Sequence, residues 1–208
     1  MSKALIPLEP GVSYHIFNHS VGNENIFRTD KNYLSFLKGF KTYMFPYADL
    51  MCYCLMRNHF HLIVRFRSHD EIEEFINNAD KTLVNGKLKV ISDEKLTLLL
   101  SQQFSNYFNS YAKAYNMENF RRGALFKRAF RRIPIQTDDY MKRLIRYIHQ
   151  NPVNDSFAST IEEWKYSSYN SILSINHTLI PRMDVIELFG DLENFIFYHQ
   201  QNDAGFEY

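Results

Sequence analysis

The chain switches between two hydrophobic periods, and the switching points outline its elements. Ser13-Tyr14-His15-Ile16-Phe17-Asn18-His19 alternates with period two and predicts a first strand. Gly22-Asn23-Glu24-Asn25 then supplies a turn or loop. Asp30 reads as an N-cap, and after it Tyr33, Leu34, Phe36, Leu37, Phe40 and Tyr43-Met44 recur at helical spacing, so residues 30–44 are predicted helical, with Pro46 ending the run. Ala48–Leu55 reads as a second strand and Met56-Arg57-Asn58 as a tight connection. His59–Phe66 reads as a third strand, antiparallel to the second.

A short helix opens at Ser68-His69-Asp70 and runs to about Asn78; the polar stretch 77–89, with Asn85-Gly86, reads as a loop or small insertion. A long helix follows from Ser92 or Asp93 to about Asn116, with Leu96, Leu99, Leu100, Phe104, Tyr107, Phe108 and Tyr111 on one face. Residues 119–127 form a basic, glycine-containing loop, and residues 129–136 a further strand. Thr137 caps the next helix, with Asp138 and Asp139 well placed in its first turn. That helix is predicted to end at Asn151, where Pro152 stops it. Two short amphipathic stretches, Arg182–Leu188 and residues 191–200, close the pattern. The order strand–helix–strand–strand–helix–helix–strand–helix predicts an α+β fold: an antiparallel sheet with helices packed on it, a split βαβ of ferredoxin-like or RRM-like kind.

Composition narrows the class. At 208 residues, 45% hydrophobic and 16% aromatic, the chain is long and apolar enough for one sizeable core, which excludes a disordered chain. No apolar run reaches the roughly 20 residues that cross a bilayer, and the first residues lack the apolar segment of a signal peptide, so a cytoplasmic protein with no membrane partner is expected. Cys52 and Cys54, the only cysteines, read as reduced strand residues; no second pair completes a Cys-x-Cys metal site. The net charge of +1 hides an uneven distribution. Between Arg121 and Arg146 stand nine basic and two acidic residues, whereas residues 183–208 hold six acidic residues and no Lys or Arg. A basic block of this kind suits a polyanion.

Two patterns carry candidate chemistry. His59 and His61, at i and i+2 of a strand, project to one face, where two imidazoles can hold a divalent cation; Phe60, Leu62, Val64 and Phe66 turn toward a core. Two strand histidines with ordinary hydrogen bonds would look the same. Tyr147 and Asn151 lie one turn apart on a helix face that also holds Tyr140 and Leu144. A core tyrosine and an Asn before proline would again look alike. Arg121, Arg122, Lys127, Arg128, Arg131, Arg132 and Arg143 are basic residues that could track a phosphate backbone, with Phe120, Phe126 and Phe130 either stacking on bases or lying in the core.

Five ordered segments, from Tyr14 to Tyr169, resemble the single-tyrosine HUH transposases, most closely the REP-associated tyrosine transposases. They are Tyr14-His15-Ile16-Phe17-Asn18 with Ile26-Phe27, Met56-Arg57-Asn58-His59-Phe60-His61-Leu62, and Gly123-Ala124-Leu125-Phe126-Lys127-Arg128-Ala129-Phe130. Arg146-Tyr147-Ile148-His149-Gln150-Asn151-Pro152-Val153 and Trp164-Lys165-Tyr166-Ser167-Ser168-Tyr169 complete the set. The resemblance implies an HUH endonuclease fold with Tyr147 as nucleophile, and His59, His61 and Asn151 as ligands of Mg²⁺ or Mn²⁺. It implies a strand transferase that cleaves and rejoins single-stranded DNA near hairpins through a phosphotyrosine; a hairpin-binding relative without chemistry is the alternative. Monomer and homodimer stay equally open. The chain departs from the family where Asn154-Asp155-Ser156-Phe157 replaces small residues and glycine, and where Lys127 stands in place of a common Gln. Residues 1–175 would form the catalytic domain, with a loop insertion near 79–92, and residues 176–208 an acidic helical extension.

Overall fold

The computed structural model describes residues 6–22, 24–80, 90–127 and 129–201. The expected insertion around Asn85-Gly86 and the side chain of Arg128 therefore lie outside the described residues. Eight elements follow the predicted order: β1 (Ser13–His19), α1 (Asp30–Tyr43), β2 (Ala48–Leu55), β3 (His59–Phe66), α2 (His69–Asp80), α3 (Asp93–Glu118), β4 (Arg131–Ile135) and α4 (Asp138–Asn154). Three short helices come after them: α5 (Tyr169–Leu173), α6 (Arg182–Leu188) and α7 (Leu192–Gln200).

The four strands form one antiparallel sheet in the order β2-β3-β1-β4. Since β3 runs against both β1 and β2, those two are parallel with β3 between them, which is the split βαβ arrangement. Central β1 is covered on both faces, so its polar positions His15 and Asn18 are buried along with Tyr14, Ile16 and Phe17. The β1–β3 register sets Phe17 opposite His61 and His19 opposite His59. Directly opposed residues share a face, so these four side chains form one patch.

Helices α1 and α3 cover one face. Phe60 reaches from β3 to Phe36 of α1 and Phe108 of α3, with ring centroids 4.8 and 5.3 Å away. The helices approach closely where Gly39 faces Tyr107: a Cβ there would lie 2.7 Å from the Tyr107 ring. Tyr107 and Tyr111 satisfy their buried hydroxyls on the carbonyls of Phe36 and Ile26. The other face carries α4, which buries Leu144, Ile145 and Ile148.

Five boundaries differ from the sequence expectation. Thr29, not Asp30, is the N-cap of α1; the Asn32 side chain accepts from the Arg28 and Thr29 amides, leaving Asp30 inside the first turn. The last strand starts at Arg131, not 129, because Ala129 adopts φ +53°, the left-handed region, and breaks the extended run. Helices α2 and α3 each run two residues past their expected ends, to Asp80 and Glu118. Helix α4 passes through Pro152 to Asn154. The proline removes one amide donor, but the Asp155 amide still bonds the Asn151 carbonyl at 2.9 Å, so one further turn closes.

The segment after α4 returns to the sheet. Tyr166 and Ser168 bond the outer edge of β2 through Leu55 and Tyr53, and Trp164 Nε1 donates to the Leu55 carbonyl at 3.1 Å. Helix α7 lies behind α4: Phe195 stacks on Tyr169, and His199 Nε2 lies 2.9 Å from His149 Nδ1. Among the described residues no helix is long and apolar enough to cross a membrane.

Candidate active site

The patch on β1 and β3 meets α4 at Tyr147. The Tyr147 ring stands edge-on to His61, centroids 5.9 Å apart, and the His59 and His61 rings lie 5.2 Å apart at right angles. One turn along α4, Asn151 donates Nδ2 to the Tyr147 carbonyl at 2.9 Å, and its side chain also hydrogen-bonds His59. Two residues from β3 and two from α4, nearly a hundred positions apart in the chain, thus share one site.

Each histidine is anchored through Nδ1. Asn58 Oδ1 lies 2.8 Å from His59 Nδ1. Since an amide oxygen only accepts, His59 carries its proton on Nδ1 and a lone pair on Nε2. His61 Nδ1 lies 2.9 Å from His15 Nε2, so one proton is shared there, and with His61 as donor its Nε2 carries a lone pair as well. His19 stacks on His59 with centroids 4.7 Å apart, and Asp155 Oδ2 lies 4.0 Å from His59 Nε2.

Burial keeps these rings neutral. It lowers His15 to about 3 and His59 to about 4, the latter also repelled by His19 while Asp155 and Asn151 pull the other way. His61 is held well below its ordinary value, by burial first and then by its three histidine neighbours. Both ligand candidates are deeply buried, at 6% and 1% exposure. Their burial comes from α4, which packs over the patch, an arrangement that strand periodicity cannot reveal.

The donor set fits a divalent cation. Neutral imidazoles with anchored Nδ1 atoms present Nε2 lone pairs, and the Asn151 amide oxygen is a third, harder donor. Among the described residues no three His, Cys, Asp or Glu side chains converge as a metal group, so the third ligand would have to be Asn151 or a bound phosphate.

The basic residues do not form one surface. Arg131 is exposed on the histidine face, its guanidinium 5.9 Å over Phe17. Arg132, the next residue, points to the opposite face, where it is 8% exposed, stacks on Phe130 and donates to Ser101 Oγ at 3.2 Å. Arg121 is pinned by both oxygens of Glu24 at 2.5 and 2.9 Å. Arg122, Lys127 and Arg143 are exposed, Arg143 on the α4 surface that faces Phe189 and Tyr198. Sequence reasoning passed over His15, His19, Asn58 and Asp155. The period-two rule that selected His59 and His61 would have put His15, Phe17 and His19 on one face of β1.

The chain matches no protein-family model, and no curated protein is significantly similar to it. A solved structure of a REP-associated tyrosine transposase bound to a REP hairpin superposes with a TM-score of 0.55 at 12% identity, covering 86% of this chain and 89% of that one. The fold described above is therefore shared with a tyrosine transposase over most of both chains.

Proposed function

We propose that this protein is a DNA strand transferase that cuts and rejoins single-stranded DNA beside hairpins, with Tyr147 as nucleophile. The observation that carries the reading is the convergence of the Tyr147 ring, two neutral imidazoles and the Asn151 amide at one point between β3 and α4. The hairpin-bound transposase of the same fold supports the choice of partner.

In the proposed reaction the Tyr147 Oη–P bond forms as the P–O3′ bond breaks. The phenolic proton leaves to water, and the departing 3′ oxygen takes a proton from water. The products are a 5′-phosphotyrosine and a free 3′-hydroxyl, and attack by a 3′-hydroxyl reverses the step. The bond is conserved, so rejoining needs no nucleotide cofactor. His59, His61 and Asn151 would hold Mg²⁺ or Mn²⁺, which supplies charge neutralisation at the scissile phosphate. His15 and Asn58 hold the two imidazoles in the required tautomers. Arg131, on the same face, and the exposed Lys127, Arg122 and Arg143 would contact the DNA backbone.

Incubation with a hairpin oligonucleotide carrying a single-stranded flank, followed by denaturing electrophoresis, tests the reading. A covalent adduct is expected that requires the divalent cation and disappears in Tyr147→Phe, with hairpin affinity retained. An adduct formed by Tyr147→Phe would remove the assignment. Tight hairpin binding with no adduct under any metal would instead favour a binding protein without chemistry.

A further inference from the structure

Across the sheet from the tyrosine, between α3 and the segment that leads into β4, lies a cavity of about 510 Å³. Its walls are of three kinds. Phe126 and Phe130 supply aromatic faces, Phe126 half-buried. Ser105 and Asn109 of α3, with Asn18 of β1, supply neutral polar groups. Arg132 supplies a buried cation and Lys127 an exposed one, and among the described residues no acidic side chain lines the space. Gly123 and Ala124 keep one side low; a Cβ on Gly123 would meet nothing within 4 Å.

Arg132 is unusual for a residue at 8% exposure. Among the described residues it donates to Ser101 and stacks on Phe130, while its Nε has no hydrogen-bond partner and it forms no ion pair. A buried guanidinium without a carboxylate is costly to keep, and burial lowers its proton affinity. Replacing it by an apolar side chain would relieve that cost, so its presence calls for a ligand that accepts hydrogen bonds.

We propose that this cavity takes one unpaired nucleobase with a ring carbonyl, guanine, thymine or cytosine, from the DNA strand that serves Tyr147. The inference rests on the proposed function. A guanidinium only donates, so it selects a base edge rich in acceptors over adenine. One buried, half-engaged cation among phenyl rings and neutral amides suits a flat neutral ring, while the exposed Lys127 can meet the adjoining backbone phosphate. The route is short. Neighbouring β1 residues serve the two sites: His19 stacks on His59 while Asn18 lines the cavity. Among the described residues, β4 and the segment before it lie outside β1, a single strand's width of about 5 Å. That segment carries exposed Lys127, whose amide bonds the His19 carbonyl at 2.9 Å, and exposed Arg131 on the histidine face. A strand rounding this edge meets cations on the way.

The test uses the full chain, chelator to block cleavage, and a fluorescent hairpin whose flank positions are replaced one at a time by an abasic site or by adenine. For the wild type, one position is expected at which either replacement weakens binding about tenfold. In Arg132→Met the adenine penalty at that position should vanish, and in Asn109→Ala, a surface change on α3, it should shrink. Arg131→Ala should weaken every oligonucleotide alike. A wild-type scan with no such position, or one that Arg132→Met leaves intact in a folded protein, overturns the cavity assignment alone. Failure of the wild type to bind the unmodified hairpin overturns the proposed function with it.

Discussion

A histidine ring buried as deeply as His61 needs partners for its nitrogens, and in this chain His15 takes Nδ1 at 2.9 Å. Replacing His15 by Phe keeps the volume and the stack on Phe17 but removes the acceptor. A loss of about 1–3 kcal/mol in urea unfolding is expected from the stranded polar group. If His61 is a ligand, Mn²⁺ affinity measured calorimetrically should also fall by about tenfold or more. The buried histidines further predict an acid-sensitive fold. Burial lowers His59 and His199 to about 4, below the roughly 6.5 of an unfolded chain. The unfolded chain therefore takes up protons first. The contribution is complete above about pH 6.5 and is lost as the pH falls toward 4. Each group should cost about 2 kcal/mol between pH 7 and pH 5, so the urea midpoint should drop over that interval. A flat midpoint would mean that these rings are protonated in the folded protein.

At the scale of elements, the helix pair α1–α3 sets a sharp test. Alanine favours a helix over glycine by about 1 kcal/mol, yet Gly39→Ala would drive a methyl to 2.7 Å from the Tyr107 ring, which is fully buried and fixed by its hydroxyl on Phe36. A net destabilisation of about 1–3 kcal/mol is expected, read by thermal or urea melting. Thr137→Ala removes the cap that accepts from the Tyr140 amide at 3.2 Å and should cost about 1 kcal/mol. The element order was legible because long amphipathic segments carry their period openly: β1, β2 and β3 fall on the expected residues. What α4 covers was not legible, since the burial of His59 and His61 comes from a helix that follows them by about eighty residues. The separation of Arg131 from Arg132 was available, because strand neighbours alternate faces, but charge clustering hid it. His15 carries no signal as a single residue, since only the β1–β3 pairing brings it to His61, whereas Asn58 already sits beside His59 in the chain.

Over the whole molecule, α7 and the 166–168 segment brace the tyrosine helix from behind. His199 Nδ1 donates to the Phe195 carbonyl, which leaves Nε2 to accept from His149 Nδ1; His149 Nε2 then accepts from Ser168 Oγ at 2.7 Å. This chain of donors joins α7, α4 and the strip beside β2 in one direction, and every ring in it is neutral. The two edges of the sheet are treated differently. Beside β2, Tyr166 and Ser168 occupy the outer bonding groups. Among the described residues no further strand lies beside β4, and Pro134 stands opposite Tyr14 in mid-strand. A proline in that place withholds a donor from the outer row, so a second copy of the chain cannot continue the sheet there in register. Pro134→Thr would restore the row, and the protein should then self-associate at high concentration in sedimentation, in a manner that dilution reverses.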